Sequence, residues 1–225
     1  MDKKYGKLLT VILSIVSVGV LGLLGFLGYD LIKKINGDKR QADLIDYYDN
    51  TVSDDNTDET NTEIQNIEIP EVSNTEINND QNTNSSGGDK KVQYQGYSMV
   101  GKIEIPKIKL KYVILDKATP SSIETSVAVA YGPGPNKIGN TVIVGHNYRN
   151  GSFFGNNDKL EIGDKIYITD NSNTRIKYNI YNIYETSPDD GDYMVRDTNG
   201  KREISLSTCT DNSKARLIIW AVEEN

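Results

Sequence analysis

The stretch from residue 8 to residue 28 contains 21 residues and no charged side chain. A helix of that length extends roughly 31 Å, which is enough to cross the hydrocarbon core of a bilayer. The apolar region of a cleaved signal peptide is shorter, and a core helix of a soluble domain has a polar face that this stretch lacks. The stretch therefore predicts an uncleaved signal anchor that spans a membrane once.

Basic residues lie on both sides of this stretch, with three lysines before it and three lysines and an arginine soon after it. The preceding lysines favour a cytoplasmic N-terminus, because the cytoplasmic flanks of membrane helices are rich in Lys and Arg. The acidic segment that follows suits the outer side. We therefore expect residues 1–7 to be a cytoplasmic stub, residues 8–28 to cross the cell membrane, and the remainder to be extracellular.

The formal charge of −7 has its origin in one segment of the chain. Residues 41–92 carry a net charge of −11 and residues 93–225 are neutral, so the acidic balance says nothing about the partners of a folded domain. The segment is rich in Asn, Asp, Thr and Glu, and such a composition cannot bury enough apolar surface to offset the entropy lost on ordering. Residues 29–92 are therefore predicted to form a flexible linker.

Beyond the linker, short runs of β-branched and aromatic residues alternate with Gly, Pro and Asn at the spacing typical of an all-β barrel or sandwich. About 130 residues suffice for one closed core, so residues 93–225 are predicted to be a single all-β domain. One helical turn is predicted, at residues 121–126. The predicted strands are 98–105, 111–115, 126–129, 141–146, 165–168, 176–184, 203–207 and 216–222.

Cys209 is the one cysteine of the chain, so it has no partner for an internal disulfide and is either inert filler or a reactive thiol. Free cysteines are often buried, which supports the first interpretation. Strand alternation supports the second, because it places Ile204 and Leu206 on the core face and Cys209 on the opposite, polar face or at the strand end. The pattern favours a thiol that is presented for reaction.

A thiol is only a few per cent ionised at neutral pH, so its use as a nucleophile requires a nearby base or cation. His146, the one histidine, ends an apolar strand, and Arg216 opens the last predicted strand. An antiparallel hairpin would bring Arg216 near Cys209, where a fixed donor to an oxyanion is worth about 3–4 kcal/mol. Each residue alone also fits a plain alternative, a surface histidine and an arginine at a strand end.

Four motifs, found in the family's order, resemble those of sortases, the cysteine transpeptidases of Gram-positive bacteria. SLSTC (205–209) is similar to the T-L-x-T-C motif around the sortase nucleophile, with serine in place of the first threonine. GNTVIVGHN (139–147) resembles the segment that carries the sortase histidine. GKIEIPKI (101–108) and KLEIGDKIYI (159–168) resemble the opening barrel strand and the later L-x-x-G-D strand. The resemblance covers nearly all of residues 93–225.

The resemblance implies a closed eight-stranded sortase-type β-barrel with short helical turns, and a transpeptidation that requires no cofactor and no metal. Cys209 would be the nucleophile, His146 the general acid and base, and Arg216 the residue that binds substrate and stabilises the oxyanion. The loop 187–202 would form one wall of the substrate groove. Three further residues are expected to contribute to substrate binding: Ser207, Thr208 and Asn147.

The implied substrate is an LPXTG-like sorting signal of a secreted surface protein, and the implied acceptor is an amine of a peptidoglycan precursor or a pilin lysine. No nucleic-acid partner is expected. The subclass is open between B-, D- and E-like sortases, because GHNYRNGSFF (145–154) resembles class B whereas the loop 187–202 is short for the helix that class B carries there.

Two other functions also fit parts of the pattern. A papain-like cell-wall peptidase uses a Cys–His pair, but its cysteine precedes its histidine in sequence, whereas His146 precedes Cys209 here. A tethered, non-catalytic β-domain that binds wall or host ligands would tolerate an inert cysteine.

Overall fold

The computed structural model describes residues 3–53, 92–148, 150–210 and 214–224, so most of the predicted linker, residues 54–91, lies outside the described residues. Within these ranges the chain forms two α-helices and nine β-strands. The helices are α1 (Lys3–Ser53) and α2 (Pro120–Thr125). The strands are β1 (Val92–Tyr94), β2 (Tyr97–Ile105), β3 (Leu110–Leu115), β4 (Val127–Tyr131), β5 (Gly139–Val144), β6 (Lys165–Asp170), β7 (Arg175–Thr186), β8 (Arg202–Cys209) and β9 (Arg216–Glu223).

Strands β2 to β9 close into a barrel in the order β2-β3-β4-β5-β8-β9-β7-β6, and β6 pairs with β2 to complete the ring. The pairs β3–β4 and β5–β8 are parallel, and the other pairs are antiparallel. Closure leaves no long unpaired edge. The predicted closed eight-stranded barrel is confirmed, with every predicted strand present. The short strand β1, which pairs with the beginning of β2, is an addition that the sequence analysis missed.

The inside of the barrel is filled with branched apolar side chains. Alternate residues of each strand point inward, so β2 contributes Ile103 and Ile105, β6 contributes Ile166 and Ile168, and all four are fully buried. A barrel of eight strands has an interior just wide enough for its own side chains. A substrate therefore has to bind on the outer surface or at an end of the barrel.

A second apolar cluster forms where the C-terminal part of α1 packs against the outside of the barrel. Leu44, Ile45, Tyr48 and Val52 share one face of the helix and are buried. Their partners come from the first strands and from β4: Val92, Met99, Val113, Leu115 and Ala128. Residues 29–53 are helical, where the sequence analysis predicted flexible linker. Within this range, residues 41–52 have an apolar face that is buried against the barrel.

Polar contacts fix this part of α1 in register with the barrel. The Gln41 side chain donates to the carbonyl oxygen of Thr125, and its own amide oxygen accepts from the Ser126 hydroxyl at 3.2 Å. Gln41 is 7% exposed. Nearer the C-terminal end of the helix, Asp49 forms an ion pair with Lys102 of β2 at 2.5 Å. These directional contacts, of which the one between Gln41 and Ser126 is buried, define one position for α1 on the domain.

The N-terminal part of α1 has the opposite character. From Thr10 onward it contains a stretch that is apolar and long enough to cross a membrane, and none of that stretch is buried against the protein. Large apolar side chains such as Leu13, Val18 and Phe26 are more than half exposed. The same unbroken helix therefore combines an apolar stretch that is not buried against the protein and a segment that is docked on the barrel.

Candidate active site

Cys209 and Arg216 face each other across the β8–β9 hairpin. Cys209 is the last residue of β8, Arg216 is the first residue of β9, and the two are direct antiparallel partners. Directly opposed residues have Cβ atoms about 4.5–5.5 Å apart on the same face of a sheet. Beyond the pair, the Thr210 amide donates to the Ala215 carbonyl at 2.8 Å. The predicted hairpin is confirmed, and Cys209 is a partly exposed free thiol.

His146 reaches the same end of the barrel because β5 and β8 run parallel. Val144 at the end of β5 is the register partner of Ser207, and the Gly145 amide donates to the Ser207 carbonyl at 3.3 Å. Parallel strands advance in the same direction, so the residues two positions after Val144 and Ser207, which are His146 and Cys209, lie at the same end of the barrel. The three predicted catalytic residues therefore gather at one end of three adjacent strands.

Two of the predicted substrate-binding residues connect the segment 145–147, which contains His146, with strand β8, which ends at Cys209. The side-chain amide of Asn147 donates to the carbonyl oxygen of Cys209 at 2.8 Å. The Thr208 hydroxyl donates to the carbonyl oxygen of Gly145 at 2.8 Å, and Thr208 is 3% exposed. Both side chains bind backbone carbonyl groups of the site. They therefore define the position of Cys209 relative to the segment 145–147.

Gly145 allows the close approach on which this junction depends. A Cβ atom at this position would lie 2.9 Å from a methyl group of Val127 and 3.0 Å from the ring of Phe154. Phe154 is buried and its amide donates to the His146 carbonyl at 2.9 Å, so the loop after His146 folds back beneath the histidine. Any larger residue at position 145 would displace this packing.

The imidazole of His146 lies among side chains that the sequence analysis did not identify. Its Nε2 atom has no solvent exposure and lies 3.1 Å from Oε1 of Glu124, although the two are not aligned as a hydrogen bond. The ring stacks on Tyr148 with centroids 5.0 Å apart, and Phe153 approaches it edge-on at 6.2 Å. No sequence signal connects Glu124, which belongs to α2, with this site.

Tyr148 completes the contact between the imidazole and the carboxylate. Its hydroxyl donates to Oε2 of Glu124 at 2.7 Å. Burial raises the pKa of Tyr148 to about 12, and the hydrogen bond to Glu124 and the charge of that carboxylate act in the same direction. The phenol therefore remains a proton donor to Glu124 throughout the physiological range of pH.

The loop 187–201 lies between β7 and β8, beside the cysteine strand. The Tyr193 and Ser207 hydroxyl groups are 3.2 Å apart, and both residues are almost fully buried. Ser207 thus supports the loop, whereas a direct role in substrate binding would need an accessible side chain. The same loop contacts Arg216, whose Nε atom donates to the Pro188 carbonyl at 3.0 Å.

Arg196, in the C-terminal half of this loop, attaches the loop to the barrel. Its guanidinium group lies over the ring of Trp220 at 4.2 Å and forms an ion pair with Glu203. It also donates to the side chain of Asn140 at 3.1 Å. The loop that was predicted to form a groove wall is therefore attached to the outer face of β8 and β9 at several points.

A groove of about 760 Å³ opens beside the thiol. Its lining includes Cys209, Thr208 and Asn147, together with the charged side chains of Asp158, Glu185 and Lys214. This volume lies in the upper part of the range of typical ligand sites. In the described part of the chain, no three His, Cys, Asp or Glu residues are grouped so that they could hold a metal ion.

Comparison with known proteins identifies the family. Residues 103–224 match the Sortase domain. The chain is 32% identical over 124 residues to sortase A of Bacillus anthracis, an alignment that covers 53% of this chain and 58% of that protein. The chain thus spans somewhat more than half the length of this relative.

Solved structures give the same result. A sortase D5 transpeptidase of Clostridium perfringens is 32% identical with a TM-score of 0.52, covering 56% of this chain and 79% of that one. Sortase A of Corynebacterium diphtheriae is 25% identical with a TM-score of 0.53, covering 58% and 63%. The neighbours include A-, C- and D-type sortases, so they do not define a subclass. Because the Sortase domain matches more than half of this chain, the chain belongs to the sortase family.

Proposed function

We propose that this protein is a membrane-anchored cysteine transpeptidase that cleaves an LPXTG-like sorting signal and joins the released surface protein to an amine of the cell wall. The observation that carries the proposal is that Cys209, Arg216 and His146 gather at one end of three adjacent strands. Cys209 ends β8, Arg216 begins β9, and His146 follows the end of β5. Membership of the sortase family supports the same chemistry. The exposed apolar stretch of α1 supports the anchor.

The first half-reaction would break one peptide bond. The Cys209 thiolate attacks the carbonyl carbon between Thr and Gly of the sorting signal, and the electron pair moves onto the carbonyl oxygen. Arg216, the cross-strand partner of Cys209, supplies a fixed positive charge to this oxyanion. When the C–N bond breaks, the imidazolium of His146 gives its proton to the leaving amine. A thioester on Cys209 remains.

The second half-reaction would transfer the acyl group. An incoming amine attacks the thioester carbon, His146 takes up the amine proton, and the C–S bond breaks to release the Cys209 thiolate. One amide bond is exchanged for another, so the cycle needs no redox partner. Because the barrel interior is filled, both substrates are expected to meet in the groove beside the thiol.

The test uses the full chain in detergent micelles, sorting-signal peptides of varied sequence, and a set of amine acceptors. A peptide acyl adduct on Cys209, detected by mass spectrometry, is expected together with ligated product. Cys209 is the one cysteine, so the site of the adduct is unambiguous, and Cys209→Ala is the matched control. Absence of both adduct and ligation across the whole panel would refute the proposal.

A further inference from the structure

We propose that Glu124 is a positioning residue that orients the imidazole of His146, and that α1 holds Glu124 in place. The inference rests on the proposed function, because it assigns a role around the general acid and base. It depends on a different part of the molecule, since Glu124 belongs to α2 and its support comes from Gln41 of α1.

The two oxygens of the Glu124 carboxylate have different neighbours. Oε2 accepts a hydrogen bond of 2.7 Å from Tyr148, which restrains the rotation of the group. Oε1 is then left facing Nε2 of His146 at 3.1 Å. Nε2 is shielded from solvent and makes no well-aligned hydrogen bond within the described part of the chain.

A carboxylate beside one ring nitrogen determines what the other nitrogen can do. In a neutral imidazole one nitrogen carries the proton and the other accepts, and the choice follows the hydrogen-bond partners. Glu124 accepts hydrogen bonds only, so it favours a proton on Nε2. Nδ1 is then available to exchange a proton with the thiol and with the leaving amine. A residue that orients the base in this way is the third member of many nucleophile–base arrangements.

The position of Glu124 depends on both ends of the short helix α2. At the N-terminal end, Thr119 forms a capping box with Ser122. At the C-terminal end, Gln41 binds the carbonyl oxygen of Thr125 and the hydroxyl of Ser126. Gln41 belongs to α1 and is buried against the barrel. The docked part of α1 therefore determines the position of Glu124 relative to His146.

A further contact links α1 with the same group of side chains. Lys33 Nζ lies 5.7 Å from the centre of the Tyr148 ring, within the range of a cation–π interaction. A partly open pocket of about 330 Å³ lies between α1, α2 and the loop after His146, and its lining includes Lys33, Glu124, Tyr148 and Phe153. The histidine side of the site is therefore built partly from the helix that leads to the membrane.

The first experiment measures peptide cleavage by the full chain in detergent micelles. Glu124→Gln is expected to lower kcat about tenfold with KM changed less than twofold, because the loss affects proton transfer rather than peptide binding. Glu124→Asp is expected to recover part of the loss. Glu161→Gln is the matched control, an exposed acid paired with Lys107, and should leave both constants unchanged. An unchanged kcat in Glu124→Gln, or a change confined to KM, would overturn the proposal.

The second experiment reads the imidazole directly. The chain has one histidine, so labelling with ¹⁵N-histidine gives one pair of ring nitrogen signals. We expect the neutral ring to carry its proton on Nε2 in the unaltered chain and to become a mixture of tautomers in Glu124→Ala. An unchanged tautomer in Glu124→Ala would overturn the proposal even if kcat fell. This readout needs no peptide turnover, so failure of the transpeptidase proposal and failure of the Glu124 proposal are distinguishable.

Discussion

The two sides of the site are constructed in different ways. On the thiol side, Cys209 and Arg216 are register partners on adjacent strands, so backbone pairing alone brings them together. On the histidine side, the imidazole contacts Glu124 and Tyr148, and their support comes from α2 and α1. The first side depends on one hairpin, whereas the second depends on packing between distant segments. The thiol side should therefore tolerate changes in α1 that disturb the histidine side.

The largest effect is expected on the thiol side. Arg216→Ala should lower kcat for peptide cleavage about 1,000-fold, because one fixed oxyanion donor is worth up to that factor. Arg175→Ala is the control, since Arg175 starts β7 at the other end of the barrel and pairs with Glu104. Steady-state kinetics of the full chain measure both. Equal losses in the two variants would contradict the oxyanion role.

The next effect concerns the support of the histidine side. Tyr48 is 1% exposed in the contact between α1 and the barrel, so Tyr48→Ala should reduce the free energy of unfolding by about 3 kcal/mol. Tyr131→Ala removes a tyrosine that is 45% exposed and should cost less than about 1 kcal/mol. Denaturant unfolding in micelles measures both values. If Tyr48→Ala were as mild as its control, α1 would not be docked.

A smaller effect is expected where the two sides are joined. Asn147→Ala removes the hydrogen bond to the Cys209 carbonyl, and a bond worth about 1 kcal/mol corresponds to roughly a fivefold loss of kcat/KM. Asn179→Ala, which removes a hydrogen bond to Lys165 at the other end of the barrel, should change kcat/KM by less than twofold. Peptide cleavage assays distinguish them. A normal Asn147→Ala enzyme would show that β8 alone positions the thiol.

The smallest effect is expected in the loop beside the thiol. Tyr193→Phe removes the contact with the Ser207 hydroxyl and should raise KM two- to threefold with kcat unchanged, since the loop would be held less firmly. Tyr167→Phe on β6 serves as the control and should leave KM unaltered. Limited proteolysis of the loop gives a second readout. Unchanged KM and cleavage would mean that the loop does not depend on this contact.

Most of the barrel could be predicted from sequence because each strand has its own local signal. Alternation such as that of Ile204 and Leu206 identifies the inward face, and the Gly and Pro residues between the runs mark the turns. Strand β1 has only three residues, too few for a periodic pattern. The docked part of α1 did carry a signal, since Leu44, Ile45, Tyr48 and Val52 follow helical spacing, but interspersed aspartates gave the segment the composition of a linker.

The candidate site divides in the same way. Cys209 and Arg216 could be paired from sequence because they lie on one hairpin, and His146 could be added by the resemblance. Glu124 could not be found, because its approach to His146 depends on how α2 is held by Gln41. Ser207 was predicted to bind substrate, but its burial against Tyr193 depends on the loop that covers this face of β8. Contacts of this kind have no local pattern.

The unbroken course of α1 also has a consequence for how substrates are encountered. Gly28 and Gln41 are separated by 13 residues, which is about 20 Å of helix. With residues 8–28 in a bilayer, this spacer would hold the barrel at one height and in one rotational setting above the lipid surface. A flexible tether of similar length would let the thiol sample a hemisphere. On a rigid spacer, productive meetings would be limited by lateral diffusion of partners that already lie in the plane of the membrane.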